Sequence, residues 1–267
     1  MSWISETESL LASWGEDGFY ELHYYQSVDS TNEEIRRRAA DGAGEGFTAV
    51  GEEQTAGRGR RGRSWKSPAG EALYFSVLLR PTMAPENLSM LTLVKGLSIA
   101  EAVRERTGLS AAIKWPNDLV IGGKKVSGTL TEAILWDGKV EGVVTGTGIN
   151  VNNEFFPGEI AERATSLKTE TGREISRGAL LASVLRSFHT NYRTFLKSGD
   201  LHMLRDRYNA LLAGKDGEVR IEAPEGAYTA VSRGIDTKGR LLVERETGGI
   251  SMISAGEVSV RGLYGYV

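Results

Sequence analysis

Apolar positions along the chain change period several times, and each change marks an element. Residues 71–80, EALYFSVLLR, are nearly continuous in aliphatic, aromatic and β-branched side chains and predict a buried strand. Met90, Leu93, Val94, Leu97, Ala100 and Val103 then recur every three or four residues, which predicts a helix closed by Gly108. Leu181, Val184, Leu185, Phe188, Tyr192 and Phe195 share one face of a second helix over about 178–197, and a shorter helix follows over about 200–212. Shorter apolar runs predict strands at 20–27, 46–52, 111–115 and 119–121, after an opening helix and turn in residues 1–18. Residues 124–136 and 139–151 read as a hairpin turned by Asp137-Gly138. Ser30 with Glu33 three residues later has the form of a capping box, so a helix is expected from there to about Ala40, ended by Gly42.

After Gly214 the texture changes. Five short β-like runs, EVRIEA, AYTAVSRGI, RLLVER, GISMIS and EVSVRG, are separated by turns such as Asp216-Gly217 and Lys238-Gly239. These predict a small β-barrel or sandwich over 215–267, behind a larger part over 1–214. That larger part mixes helices with hairpin-like strand connections, so the fold class is α+β and not doubly wound.

Composition narrows the chemistry. The chain has no cysteine, which excludes disulfides, thiolate metal sites and a cysteine nucleophile. The N-terminus lacks a basic region before an apolar stretch, so it is not a signal peptide, and no apolar run approaches the roughly 20 residues of a membrane span. A cytoplasmic, soluble protein is expected.

Against a net charge of -3, the stretch GRGRRGRSW stands out, with Arg58, Arg60, Arg61 and Arg63 set among glycines. By itself it fits a solvated basic turn, a nucleic-acid arm, or a loop whose backbone N–H groups and guanidinium forks hold a small oxyanion. The sequence pI of about 5.8 and the local character of the cluster weigh against a polymer partner. GRGRRG fits the letters of a dinucleotide fingerprint, but a strand-like segment follows it where that motif needs a helix. Three further segments can carry chemistry. Lys114-Trp115-Pro116-Asn117-Asp118 offers a cation, an amide and a carboxylate on one loop, or is an ordinary turn. Gly123-Lys124-Lys125-Val126-Ser127-Gly128 could aim a lysine into a pocket, or is a charged hairpin tip. Thr145-Gly146-Thr147-Gly148-Ile149-Asn150 could bring a ligand against the backbone, or is a glycine-kinked strand.

Taken together and in order, these segments resemble one family, the biotin–protein ligases, or biotin–[acetyl-CoA-carboxylase] ligases. The match runs through VDSTNEEI (28–35), EEQTAGRGRRGRSWKSPAGEALYFSVLLRP (52–81), IKWPNDL (113–119), GKKVSGTLTE (123–132), GTGINVN (146–152) and GEVSVRGLYGYV (256–267). The resemblance implies an α+β catalytic domain around a mixed sheet, followed by a small SH3-like barrel. It implies an enzyme that joins biotin to ATP as biotinyl-5′-AMP, with Mg²⁺ accompanying the triphosphate. The biotin then passes to one lysine of a carrier domain of acetyl-CoA carboxylase or pyruvate carboxylase. Family members often dimerise by edge-to-edge sheet pairing, so a homodimer is expected. Many carry a DNA-binding winged helix ahead of the catalytic motif; here DSTN begins at Asp29, so a monofunctional ligase without DNA binding is expected.

Residue by residue, the resemblance puts Ser30, Thr31, Asn32 and Gln54 at the ureido end of biotin. Gly57, Arg58, Gly59, Arg60 and Gly128 also border the acid; Arg58, Gly59 and Arg60 contact the phosphate as well, and Arg60 retains the adenylate. Arg63 and Lys114 support the phosphates, Trp65 packs by the adenine, and Asn117 and Asn150 lie on the adenine side. Lys125 aligns with the active-site lysine and bridges carboxylate and α-phosphate, while Asp118 positions Lys125 or the incoming amine. No metal-ligating set is assigned. Thr129 and Thr147 depart from the family's usual aliphatic or small residues and bear on pocket shape. The nearest rivals are a lipoate–protein ligase on the same fold, which lacks the GRGRRGRSW and KWPND pair, and a non-enzymatic nucleic-acid-binding protein.

Overall fold

The computed structural model describes residues 2–15, 18–223, 226–246, 248–255 and 259–262. The elements run α1 (Trp3–Ser13), β1 (Glu21–Tyr25), α2 (Thr31–Ala40), β2 (Phe47–Gly51), β3 (Ala72–Leu79), α3 (Met90–Thr107), β4 (Ala112–Lys114), β5 (Asp118–Ile121), β6 (Lys124–Trp136) and β7 (Lys139–Asn150). They continue with α4 (Leu167–Thr171), α5 (Arg177–Ser198), α6 (Arg205–Leu211), β8 (Glu218–Ala223), β9 (Gly226–Ile235), β10 (Leu241–Glu244), β11 (Ile250–Ile253) and β12 (Ser259–Gly262).

The first seven strands form one mixed sheet in the order β1-β2-β3-β7-β6-β5-β4. β1 and β2 are parallel, joined through α2, and the remaining pairs are antiparallel. β3 is buried along its whole length because both faces are covered. Phe75, Val77 and Leu79 face α3 and α5, while Leu78 faces Ile35 of α2. That two-sided burial is why the strand reads as one continuous apolar run. The β6–β7 hairpin turns at Asp137-Gly138, both at positive φ, as a two-residue turn requires.

The later strands form a five-stranded antiparallel sheet in the order β11-β10-β9-β8-β12. Val219, Ile221, Ile235, Leu241 and Val243 of this sheet join the same hydrophobic cluster as Met90, Leu93 and Trp115. Trp115 Nε1 also donates to Gly239 O at 3.0 Å. Of the tail segment GEVSVRGLYGYV, all but residues 259–262 lies outside the described residues.

Two local expectations need correction. Ser30 does occupy the N-cap of α2, but its side chain makes no capping bond. The Ser30 N–H goes to Asp29 Oδ1 at 2.7 Å, and the Thr31 N–H goes to Gln54 Oε1 at 2.9 Å. Glu33 is drawn instead to Arg58, so no capping box forms. The five-residue helix α4 was not expected, being too short to show a period.

Candidate active site

The arginine loop is built as a turn. Arg60–Gly62 form one turn of 3-10 helix, with Arg61 at φ 56 and Gly62 at φ 71. Gly59 N donates to Arg63 O at 2.7 Å, and Trp65 N donates to Gly57 O at 2.8 Å, so the loop closes on itself. Gly57 is tightly packed: a Cβ there would lie 2.4 Å from Trp65 O and 2.7 Å from Ser67 Oγ. At the far end, Glu52 Oε1 accepts from Gly70 N and Arg177 Nη1, both at 2.9 Å, and ties the loop to the scaffold.

The loop covers a narrow cleft with about 50 Å³ of interior space. Ser30, Thr31, Asn32 and Gln54 line one end; Arg58, Gly59, Arg60 and Trp65 come from the loop; Asn117, Lys125 and Gly128 come from the two lysine-bearing segments. The strands β6 and β7 form the floor, through Thr129, Leu130, Gly146, Thr147 and Gly148. Pleating puts Gly128, Gly146 and Gly148 on one side of the paired strands, with Gly128 directly opposite Gly148. Those glycines make room. A Cβ on Gly146 would lie 1.9 Å from Asn32 Oδ1, and one on Gly148 would lie 2.6 Å from Trp65 Nε1.

A single line of polar contacts joins three segments that are far apart in sequence. Arg60 Nη1 donates to Asn117 Oδ1 at 2.8 Å, Asn117 Nδ2 donates to Asp118 Oδ1 at 3.0 Å, and Lys125 Nζ pairs with that same oxygen at 2.6 Å. Lys125 is also held by its backbone, its N–H reaching Arg163 O at 2.8 Å and its C=O accepting from Thr165 N at 2.9 Å. The ammonium lies 5.1 Å from the centre of the Trp65 ring. Burial draws the Arg60 guanidinium below its ordinary pKa, with Asp118 opposing and Arg61 adding to the effect. Arginine nonetheless stays protonated in proteins, so Arg60 remains a cation here, one step from the Lys125–Asp118 ion pair.

The opposite end is neutral and rich in hydrogen-bonding groups. Gln54 Oε1 accepts from Thr31 N at 2.9 Å and Thr31 Oγ1 at 3.2 Å, and Gln54 Nε2 donates to Ser67 Oγ at 2.8 Å. Ser76 Oγ reaches both Thr31 Oγ1, at 2.7 Å, and Asn32 Oδ1, at 2.6 Å. Between the ends, the buried Trp65 Nε1 has no hydrogen-bond partner among the described residues. Buried polar groups are costly unless paired, so this slot is shaped for a ligand that supplies polar atoms.

Of the residues named from sequence, Asp118 stands behind Lys125 and is not part of the wall. Gly57 sits under the loop. Arg63, exposed at the end of the 3-10 turn, and Lys114, on β4, do not line the cleft. Asn150 is buried and donates its amide to Thr165 O at 3.0 Å, which steadies the segment that holds Lys125. Ser76 and the floor residue Leu130 were not named from sequence. Ser76 was detectable as the one aliphatic hydroxyl in the strand ALYFSVLL.

Comparisons with known proteins agree with this layout. The biotin/lipoate A/B protein ligase family matches residues 24–150, and the biotin protein ligase C-terminal domain matches residues 217–261. The bifunctional ligase/repressor BirA of Bacillus subtilis is 35% identical over 231 residues, covering 85% of this chain and 70% of the relative. The biotin–[acetyl-CoA-carboxylase] ligase of Mycobacterium tuberculosis is 32% identical over 248 residues, covering 90% of this chain and 89% of the relative. The biotin protein ligase of Aquifex aeolicus, solved with biotin and ATP, superposes with a TM-score of 0.81 at 37% identity, over 91% of this chain and 99% of that one. With a two-sheet α+β fold, a cleft polar at one end and cationic at the other, and relatives of this identity and coverage, the chain belongs to the biotin protein ligase family.

Proposed function

We propose that this enzyme joins biotin and ATP into biotinyl-5′-AMP in the cleft and then transfers biotin to a carrier lysine. The observation that carries the reading is the Arg60–Asn117–Asp118–Lys125 line, which sets two cations at one end of a slot whose other end is neutral. Biotin suits that slot, having a neutral ureido ring at one end and a carboxylate at the other. Ser30, Thr31, Asn32 and Gln54 read the ring, and the carboxylate meets Lys125 and Arg60.

In the first step a carboxylate oxygen attacks the α-phosphorus, the bond to the bridging oxygen breaks, and pyrophosphate leaves. Negative charge crowds at phosphorus in the transition state, and cations already in place stabilise it without reorganising. In the second step a carrier amine attacks the acyl carbon, gives up its proton and expels AMP. Asp118, touching the Lys125 ammonium, is the carboxylate we assign to position Lys125 or the incoming amine. Arg60 and Trp65 of the loop retain the adenylate and keep water from the anhydride. Mg²⁺ enters as the counter-ion of the triphosphate. Among the described residues no group of three or more His, Asp or Glu side chains gathers to hold a resident ion.

The carrier we assign is the biotin-carrying domain of acetyl-CoA carboxylase or pyruvate carboxylase, met in the cytoplasm. No helix among the described residues is long and apolar enough to cross a membrane. We also infer a homodimer. Beyond Gly128, β6 has β7 on one side and no paired strand on the other among the described residues, and Leu135 and Trp136 at its tip are 62% and 71% exposed. Open, apolar strand edges favour pairing with another chain.

The test is biotin-dependent exchange of labelled pyrophosphate into ATP, with lipoate in parallel and no carrier present. Exchange with biotin alone supports the reading; exchange with lipoate, or with neither acid, refutes it.

A further inference from the structure

Near the neutral end of the cleft lies a carboxylate with no part in the chemistry above. Glu132 sits on β6, past the point where β5 stops pairing. Its Oε2 accepts from Asn32 Nδ2 at 3.0 Å and lies 3.5 Å from Arg36 Nη2. Its Oε1 lies 3.7 Å from Arg58 Nη2, and Arg58 Nη1 is bonded to Glu33 on α2. The first arginine of the loop is therefore turned toward two carboxylates of the scaffold.

The contact with Asn32 has a directional consequence. An asparagine amide turned by half a turn exchanges a donor for an acceptor at nearly the same place. A carboxylate can only accept, so Glu132, at the shorter distance, together with the Leu130 carbonyl that accepts from the same Nδ2 at 3.4 Å, holds Asn32 Nδ2 toward β6 and Asn32 Oδ1 toward Ser76 Oγ. Ser76, Thr31 and Gln54 continue the same chain along the cleft to Ser67, at the foot of the arginine loop.

We propose that Glu132 is a positioning residue that sets the hydrogen-bonding polarity of the acid-reading end and, through Arg58, holds the arginine loop at the same point. One side chain thereby couples recognition of the acid to closure of the loop. The identity of the acid rests on the ligase reading, whereas the hold on the loop does not.

Glu132→Gln keeps the shape and removes the charge. Two readouts are measured: tryptic cleavage after Arg60, Arg61 and Arg63 in the ligand-free protein, and biotin affinity by calorimetry. The variant is expected to be cleaved about threefold faster, as loss of a partly exposed ion pair implies. Its biotin Kd is expected to rise about tenfold, the scale of one charge-assisted hydrogen bond, with an unchanged thermal midpoint. Glu33→Gln, which touches Arg58 but not Asn32, is expected to speed cleavage similarly and to shift the biotin Kd less. Wild-type cleavage in Glu132→Gln, or equal biotin shifts in the two variants, overturns the proposal. A wild-type protein that binds no biotin counts against the ligase reading instead, and the cleavage rate then decides the role of Glu132.

Discussion

The cleft has two walls, and both use glycine for opposite reasons. On the floor, Gly146 and Gly148 lie in a regular strand at ordinary φ, and what they supply is space: Asn32 and Trp65 occupy the volume a methyl group would need. In the loop, Gly62 takes a positive φ with nothing within 4 Å of a Cβ, so what it supplies is backbone freedom. Gly57 is the exception, a loop residue packed as tightly as the floor. The floor is a shape, held by two long paired strands. The loop is a cover, held at its ends by Gly57 and by the Glu52 contact to Gly70.

Substitutions can break or sharpen that contrast. Gly146→Ala should have the largest effect, because the new Cβ displaces Asn32. Pyrophosphate exchange should fall by about 10²-fold or more, since a displacement of about 1 Å in a site has that effect; exchange near the wild-type rate would show that the floor tolerates a shift. Lys125→Ala removes a cation from the floor side, and exchange should fall by about 10²-fold, the scale of one preorganised transition-state partner. Arg60→Gly alters the cover instead. It should leave exchange measurable while free biotinyl-AMP appears in solution, assayed by labelling of bystander lysines; no increase in released adenylate would deny the loop its retaining role. Gly59→Ala, with 3.3 Å from the new Cβ to Arg63 O, should change exchange by less than about threefold, a few tenths of a kcal/mol.

The smallest effect concerns stability and pH. Arg37 grips Asp29, whose N-terminal neighbourhood opens the acid-reading segment, and lowers its carboxyl to about 2. The folded value lies below the unfolded value of about 3.9, so the stabilisation is complete above the unfolded value and is lost as pH falls from about 4 through about 2. Both side chains are about half exposed, so Asp29→Asn should cost about 1 kcal/mol or less at pH 6. In urea unfolding the gap to wild type should close toward pH 2.

What was legible in the sequence follows the range of each interaction. The helices α3 and α5, the β6–β7 hairpin and the short strands of the second sheet rest on local periodicity and turn residues, and they form where expected. The residues gathered from four segments into one cleft were legible through family resemblance, not through spacing. The cap of α2 was misread because Gln54 and Asp29, not the helix's own side chains, take its first N–H groups. Glu132 gave no signal, since its partners Asn32 and Arg58 lie 100 and 74 positions away and meet it only after the sheet is assembled. The reason for a glycine is equally hidden: Gly146 and Gly62 look alike until their neighbours are known.

The hydrogen bond from Trp115 to Gly239 carries a consequence for how the enzyme comes apart. Trp115 lies in the same short segment as Asn117 and Asp118, and Gly239 packs on Met90, Leu93 and Leu201. The second sheet therefore buttresses the segment that carries half of the polar line at the reacting end. Loosening it would expose the indole and let that segment drift, so heat should abolish activity in the same cooperative transition that melts the second sheet, with no interval in which a bare catalytic half survives.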